Sequence, residues 1–203
     1  MKIVSCPSCG GEVKIKSVFS KSAACTYCGQ TSYLDADKVE AKGEKAFLAD
    51  YGSLFSVGLR CKWNKKTMEV IGRIRYEYEE GFWDEWAVII DDKDDQIYWL
   101  EEDEGRLTLF TSVTVPTKDL PAKYEGLRVG TTMEFDGKKI FIRAKSRAKV
   151  IGSEGELPFR VINGERADFM DGIYKSNPCG FEFLTTEITY NEGNLLYLHD
   201  FQF

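Results

Sequence analysis

The stretches "VGLRCKWNKKTMEV" at residues 57–70 and "VGTTMEFDGKKIFI" at residues 129–142 align without a gap. Val57/Val129, Gly58/Gly130 and Lys66/Lys138 are identical, and Trp63/Phe135, Asn64/Asp136, Met68/Ile140 and Val70/Ile142 are close matches. Val57, Leu59, Cys61 and Trp63 alternate with polar residues, as do Val129, Thr131, Met133 and Phe135. A period of two describes a strand with one buried face. "WNKK" and "FDGK" follow at the same place, and Asp-Gly is a strong hairpin signal. The strand after each turn keeps the alternation. In the first copy Ile74, Tyr76 and Tyr78 oppose Arg73, Arg75, Glu77 and Glu79. In the second, Arg143, Lys145, Arg147 and Lys149 form a basic face with Ala144, Ser146, Ala148 and Val150 behind it. Paired hairpins with this period predict a β-rich chain with an internal repeat, and chance likeness of two hairpins is the plain alternative. "VIG" at Val70 recurs at Val150, which predicts a longer first hairpin in the second copy.

Upstream stands "CPSCGGEVKIKSVFSKSAACTYCG", where Cys6, Cys9, Cys25 and Cys28 give two Cys-x-x-Cys pairs with 15 residues between them. This is zinc-ribbon spacing, in which each tight turn supplies two thiolates to one tetrahedral metal. Gly10 and Gly29 follow the second ligand of each pair, where the chain must turn sharply. Val13, Ile15 and Val18 are expected on one side of the intervening strand. A segment with so little core gains its stability from the metal, so one structural Zn²⁺ is expected. A thioredoxin-type pair needs a βαβ setting that is absent, and four thiolates leave no open position for a catalytic zinc. Lys2, Lys14, Lys16 and Lys21 outnumber Glu12, but the −2 charge of a tetrathiolate zinc centre cancels most of that excess.

The bulk composition fits a soluble globular protein, with 43% apolar and 30% charged residues in 203. A net charge of −6 weighs against a general nucleic-acid binder. "MKIVSCPSC" has no apolar core of a signal peptide, and the longest apolar runs fall far short of a membrane span. The expected location is therefore cytoplasmic. The charge is unevenly spread: residues 77–104 hold 13 carboxylates and one lysine, a local −12, leaving +6 elsewhere. Much of this is expected in solvated hairpin tips such as "DDKDDQ". The sharper reading is a negative surface, with Asp91, Asp92, Asp94 and Asp95, that attracts a basic partner segment.

Catalytic signals are sparse. Asp84 and Glu85 are adjacent, so on a strand they point to opposite faces and make a poor acid/base pair. Cys61 aligns with Met133 and reads as a core thiol, whereas Cys179 in "NPCG" reads as a turn residue with partial exposure. His199 is the single histidine, so no histidine-dependent triad or His-rich metal site can form within one chain. Trp86, Val88 and Ile90 are expected to face the core, with Tyr98 and Leu100 continuing it on the next strand.

The elements Gly72-Arg73-Ile74-Arg75-Tyr76, Trp83-Asp84-Glu85-Trp86 and Gly155-Glu156-Leu157-Pro158 resemble those of a bacterial β-rich domain family of unknown function, often found behind an N-terminal zinc ribbon. The resemblance covers most of residues 54–203 and implies no reaction, substrate or catalytic residue. The expected architecture is mainly β: a zinc ribbon over 1–34, a linker or short helix over 35–53, and two related small β-barrel-like or half-barrel modules over 54–125 and 126–203. The expected function is a non-enzymatic adaptor that binds a protein partner. Nucleic-acid binding through the ribbon and the basic 143–149 strand is the alternative. An enzyme of unrecognised type is the third reading.

Overall fold

In the computed structural model, which describes residues 2–35, 38–40, 43, 45, 48–93, 95–115, 123–184 and 188–203, both hairpins form where the alternation places them. Strand β6 (Arg60–Trp63) pairs with β7 (Lys66–Tyr78), and β11 (Thr132–Phe135) with β12 (Lys138–Leu157). Their registers correspond: Trp63 faces Lys66, and Phe135 faces Lys138. Both two-residue turns have positive φ throughout, at Asn64 and Lys65 and at Asp136 and Gly137, as twist-matched hairpins require. The backbone N–H of Gly58 donates to the Val70 carbonyl (2.8 Å), and that of Gly130 donates to the Ile142 carbonyl (2.9 Å). Beyond these bonds each long strand bulges, between Val70 and Gly72 and between Ile142 and Ala144.

The expected longer hairpin in the second copy is not found, because the two turns have equal length. Val150 instead pairs with Tyr76 of β7, so the second "VIG" does not occupy the place of the first.

Strands β8 (Gly81–Ile90), β9 (Tyr98–Asp103) and β10 (Arg106–Thr114) extend β7 into an antiparallel meander. Strands β13 (Arg166–Tyr174), β14 (Asn177–Phe183) and β15 (Ile188–Leu196) extend β12 in the same way. A four-stranded meander has two open edges, and here each edge is closed by the other meander: β7 pairs with β12, and β10 with β15. The result is one closed eight-stranded barrel, where two small barrel-like modules were expected. Closure removes four edges that separate half-barrels would leave unpaired.

Most of the sheet is apolar on both faces. Inside, Ile74, Tyr76, Trp83, Ala87, Val150 and Phe169 fill one end of the barrel. Outside, Met68, Val70, Trp86, Val88 and Leu100 of the first half pack beneath Cys61, Phe55 and Phe201, the last from the short strand β16 (Phe201–Gln202). Ile140, Ile142, Met170, Phe181 and Tyr190 of the second half pack beneath Val115, Leu127, Met133 and Phe135. Burial on both faces explains why "WAVII" is a run rather than an alternation. Each half also carries a cross-strand Arg–Asp pair outside the barrel, Arg75 facing Asp84 and Arg147 facing Asp168. An aromatic ring lies against each arginine, Tyr51 against Arg75 and Tyr124 against Arg147.

The N-terminal segment forms β1 (Lys2–Ser5), β2 (Glu12–Ile15), β3 (Ser22–Ala24), β4 (Thr31–Asp35) and β5 (Lys38–Glu40). Strand β5 pairs with β4, so part of the expected linker or helix is strand; residues 36, 37, 41, 42, 44, 46 and 47 of that stretch lie outside the described ones. Val18 is exposed in a turn rather than beside Val13 and Ile15 on a strand face.

Candidate metal centre and barrel chamber

The two Cys-x-x-Cys turns are built alike. Cys6 N–H donates to the Gly11 carbonyl and Gly10 N–H to the Cys6 carbonyl; Cys25 N–H donates to the Gln30 carbonyl and Gly29 N–H to the Cys25 carbonyl. Gly10 and Gly29 have φ of +77° and +69°, the left-handed turn that a Cβ disfavours. The four sulfurs of Cys6, Cys9, Cys25 and Cys28 lie within 4.8 Å of one another, with Cys6–Cys28 at 3.8 Å and Cys9–Cys25 at 3.7 Å. A tetrahedron with metal–sulfur bonds of about 2.3 Å spaces its sulfurs roughly 3.8 Å apart. The donor set and its spacing fit a four-coordinate metal ion. The four thiols titrate as a set: the backbone N–H of Gln30 draws Cys28 down to about 7, while Cys9, against the pull of Gly11, is raised to about 12 by its hydrogen bonds with the other sulfurs. The other cysteines differ. Cys61 and Cys179 are buried, and burial raises both thiols, Cys179 to about 11. Cys179 is therefore not the exposed turn residue expected: the turn is Lys175–Ser176, and Cys179 lies in β14 under Tyr190.

The N-terminal segment is fixed to the barrel through the far end of β12. Glu156 accepts hydrogen bonds from the Lys16 and Ser17 backbone N–H groups and from Ser20 Oγ. Strand β3 pairs with Glu156 and Leu157, and Lys16 forms an ion pair with Glu69. At this seam Gly155 faces Gly72 across β12 and β7. A methyl group at Gly72 would overlap the Glu156 carbonyl oxygen, and one at Gly155 (φ +66°) the Ile71 carbonyl oxygen.

The interior of the barrel changes character along its axis. Beyond the aromatic plug, a chamber of about 370 Å³ reaches the turns at Glu80 and Ser176. Trp83, Trp99 and Phe169 line it, together with carboxylates from four strands: Glu85 of β8, Glu101 of β9, Asp171 of β13 and Glu182 of β14. Glu85 and Glu101 are direct cross-strand partners. Trp83 Nε1 donates to Glu85 (3.1 Å), and Asn191 Nδ2 donates to Glu182 (2.8 Å). Arg106, Arg143 and Asp103 stand nearer the mouth. Room for the chamber comes from the small residues Ala144 and Ser146 on β12 and Gly180 on β14.

Burial and like charge raise these acids together. Burial, then the charge of Glu182, holds Glu85 well above the ordinary carboxylate range. Burial, then Asp171 and Asp103, pushes Glu101 up to about 8. Burial raises Asp171 and Asp103 as well, against the pull of Arg143 and Arg106.

This sheet and chamber occupy the part of the chain that a known family covers. The chain belongs to the family described as a domain of unknown function (DUF4178), which matches residues 56–196. No curated protein and no solved structure matches the chain. The domain thus spans the barrel, and the segment with the four cysteines lies ahead of it.

Within the domain, the three sequence elements quoted above meet physically. Gly72 and Gly155 make the seam, and Arg73 and Arg75 bind Asp84 at 2.6–2.7 Å outside the barrel. Asp84 is buried, and that burial lifts its carboxyl to about 6 despite Arg73. Its neighbour Glu85 points inward, so the adjacent pair is split across the sheet.

The other singled-out residues do not form one site. Asp91, Asp92 and Asp95 are exposed in the turn after β8, and Asp94 lies outside the described residues. Asp91 accepts from the Thr67 N–H (2.9 Å) and Asp92 from Arg60 (2.7 Å). Of the basic strand, Arg143 lines the chamber, Lys145 donates to the Tyr124 and Leu127 carbonyls, and Arg147 lies 3.7 Å from Asp168. Lys149 is exposed opposite Glu77. Glu101, Asp171, Glu182 and Asn191 carried no motif in the sequence, and Glu85 stood out only as part of the Trp83–Trp86 element. Their signal was parity with inward residues, Glu85 with Trp83 and Ala87, Glu101 with Trp99, which has meaning only once the strand registers are known.

Proposed function

We propose that this chain is a non-enzymatic binding protein whose barrel takes a small molecule in its chamber. The observation that carries the reading is the chamber itself: a closed barrel of eight strands can fill its interior with side chains, and this one fills only one end. Concave, partly aromatic walls with a few convergent polar groups are what small-ligand sites share. The four cysteines hold one structural Zn²⁺ in this reading, since zinc suits a closed tetrathiolate shell. Residues 54–125 and 126–203 are read as two copies of one half-barrel unit. The matching turns, bulges and Arg–Asp pairs support that reading.

The test is ligand-observed NMR with small fragments of mixed charge, on the wild type and on Ser146→Trp, which places an indole in the chamber. Some fragments should bind the wild type and lose binding to the variant while its melting temperature is kept. If no fragment discriminates the two proteins, the chamber is not a binding site.

The adaptor reading stands second, favoured by the exposure of Asp91, Asp92 and Asp95 at the opposite end of the barrel from the chamber mouth. A partner docking there through a basic segment would lose affinity steeply with salt, because exposed charges are screened over about 8 Å at physiological ionic strength. For nucleic acid, Lys145 and Arg147 would have to release the groups they now hold.

A further inference from the structure

The geometry points to a small organic cation with N–H donors, an ammonium or amidinium group on an apolar body, as the ligand class of the barrel chamber. The inference rests on the chamber reading above. It begins from Asn191, which is only 8% exposed and lines the chamber from β15. Its Nδ2 donates to Glu182, which fixes the amide orientation and leaves Oδ1 as the other end. That Oδ1 is buried and accepts no hydrogen bond among the described residues. A buried acceptor without a donor is costly, so the site asks for a donor from outside the chain.

The surrounding groups specify what the donor must carry. Glu85 and Glu101 face the same space, and among the described residues neither has a Lys or Arg within ion-pair distance. Asp171 and Glu182 add acceptor oxygens from the facing strands. When ionised, carboxylates only accept hydrogen bonds, so a cation with two or three N–H groups satisfies several of them and Asn191 together. Trp83, Trp99 and Phe169 offer π-faces to the same charge and apolar area to its body. An anion would add like charge beside these carboxylates, with Arg106 and Arg143 standing toward the mouth. A quaternary ammonium has the charge but nothing to give Asn191 Oδ1.

The test uses probes of one size on the full-length, metal-loaded protein: benzylammonium, benzamidinium, benzyltrimethylammonium, benzyl alcohol and benzoate. Dissociation constants are read by ligand-observed NMR at pH 8.5, with Ser146→Trp as the plugged control. Benzylammonium or benzamidinium should bind the wild type at least tenfold more tightly than the other three. Glu101→Gln and Asn191→Leu should each weaken that binding at least tenfold while melting temperatures stay within a few degrees of wild type. Equal or tighter binding of benzoate or benzyl alcohol at the plug-sensitive site would overturn the cation class and leave the chamber reading standing. Preference for benzyltrimethylammonium would overturn the role of Asn191. Binding of no probe, with plug-sensitive binding of other fragments, would also reject the class. No plug-sensitive binding at all would reject the chamber reading instead.

Discussion

Gly72 is the residue at which three parts of the molecule come closest: strand β7, the end of β12, and through Glu156 the ribbon. No side chain fits there, because a Cβ would overlap the Glu156 carbonyl oxygen, which belongs to backbone and cannot swing away. Gly72→Ala should therefore destabilise the protein by about 3 kcal/mol or more, the upper range for overpacking. Gly81→Ala is the control, since its methyl meets nothing nearer than the Tyr78 hydroxyl at 3.5 Å; its effect should stay within about 0.5 kcal/mol. Urea midpoints of the two variants check the order, and equal midpoints would show that the seam can open at little cost. At this scale the sequence was legible where chemistry and spacing coincide, as in the four cysteines. It was silent where a residue's task depends on what crosses it. Gly72 and Gly155 look like ordinary strand glycines until the register brings them face to face, and Glu85 looks like surface charge until the barrel closes.

The elements were more legible than their assembly. Hairpin positions, turn residues and the buried faces of β7 and β12 follow from period-two alternation, which is a local property. Which edges pair is not local: nothing in residues 57–142 says that β7 seeks β12 rather than closing on its own meander. The proposed repeat lets this be tested by energetics, because its equivalent Arg–Asp pairs differ in burial. Asp84 is 4% exposed and faces the buried Arg73 and Arg75. Asp168 meets Arg147 and Arg166, whose side chains are more than half exposed. Removing one partner of a buried pair strands a charge, so Asp84→Asn should cost about 3 kcal/mol. Asp168 is itself only 8% exposed, but its arginines stand in water and lose little without it, so Asp168→Asn should cost less, about 1 kcal/mol. Chemical denaturation measures both, and the reverse order would mean that burial does not set the worth of these pairs. The ribbon gives a second prediction at this scale. With Cys25 and Cys28 changed to Ser, metal content should fall from about one equivalent to near zero. Amide protection should disappear over β1 and β2 and persist in β8 and β13, because only the ribbon leans on the metal. Loss of protection in the barrel strands would show that the two fold as a single unit.

For the molecule as a whole, the local charge of −12 over residues 77–104 is only partly a surface charge. Folding places Glu85, Glu101 and Asp103 along the chamber and Asp84 beneath two arginines, so part of the excess is moved out of water. Acids whose folded-state pKa is raised bind protons more tightly folded than unfolded, so stability is greatest below the unfolded value and falls as pH climbs through the folded one. For Glu101 that window runs from the ordinary value of 4.5 to about 8, set by burial and then by Asp171 and Asp103. Glu85 and Asp171 shift in the same direction, so the slopes add. A metal held by the four cysteines would act oppositely, since thiolates bind metal better as pH rises. A wild-type profile alone therefore mixes two effects. The comparison that separates them is Glu101→Gln, which keeps the ribbon and removes one titrating group. Its urea midpoint should exceed that of the wild type at pH 8.5 and approach it at pH 5.5, where Glu101 is protonated in the folded protein. A variant that tracks the wild type across this range would place Glu101 in water. A variant less stable than the wild type at pH 8.5 would mean that the ionised carboxylate is held by a partner within the folded chain.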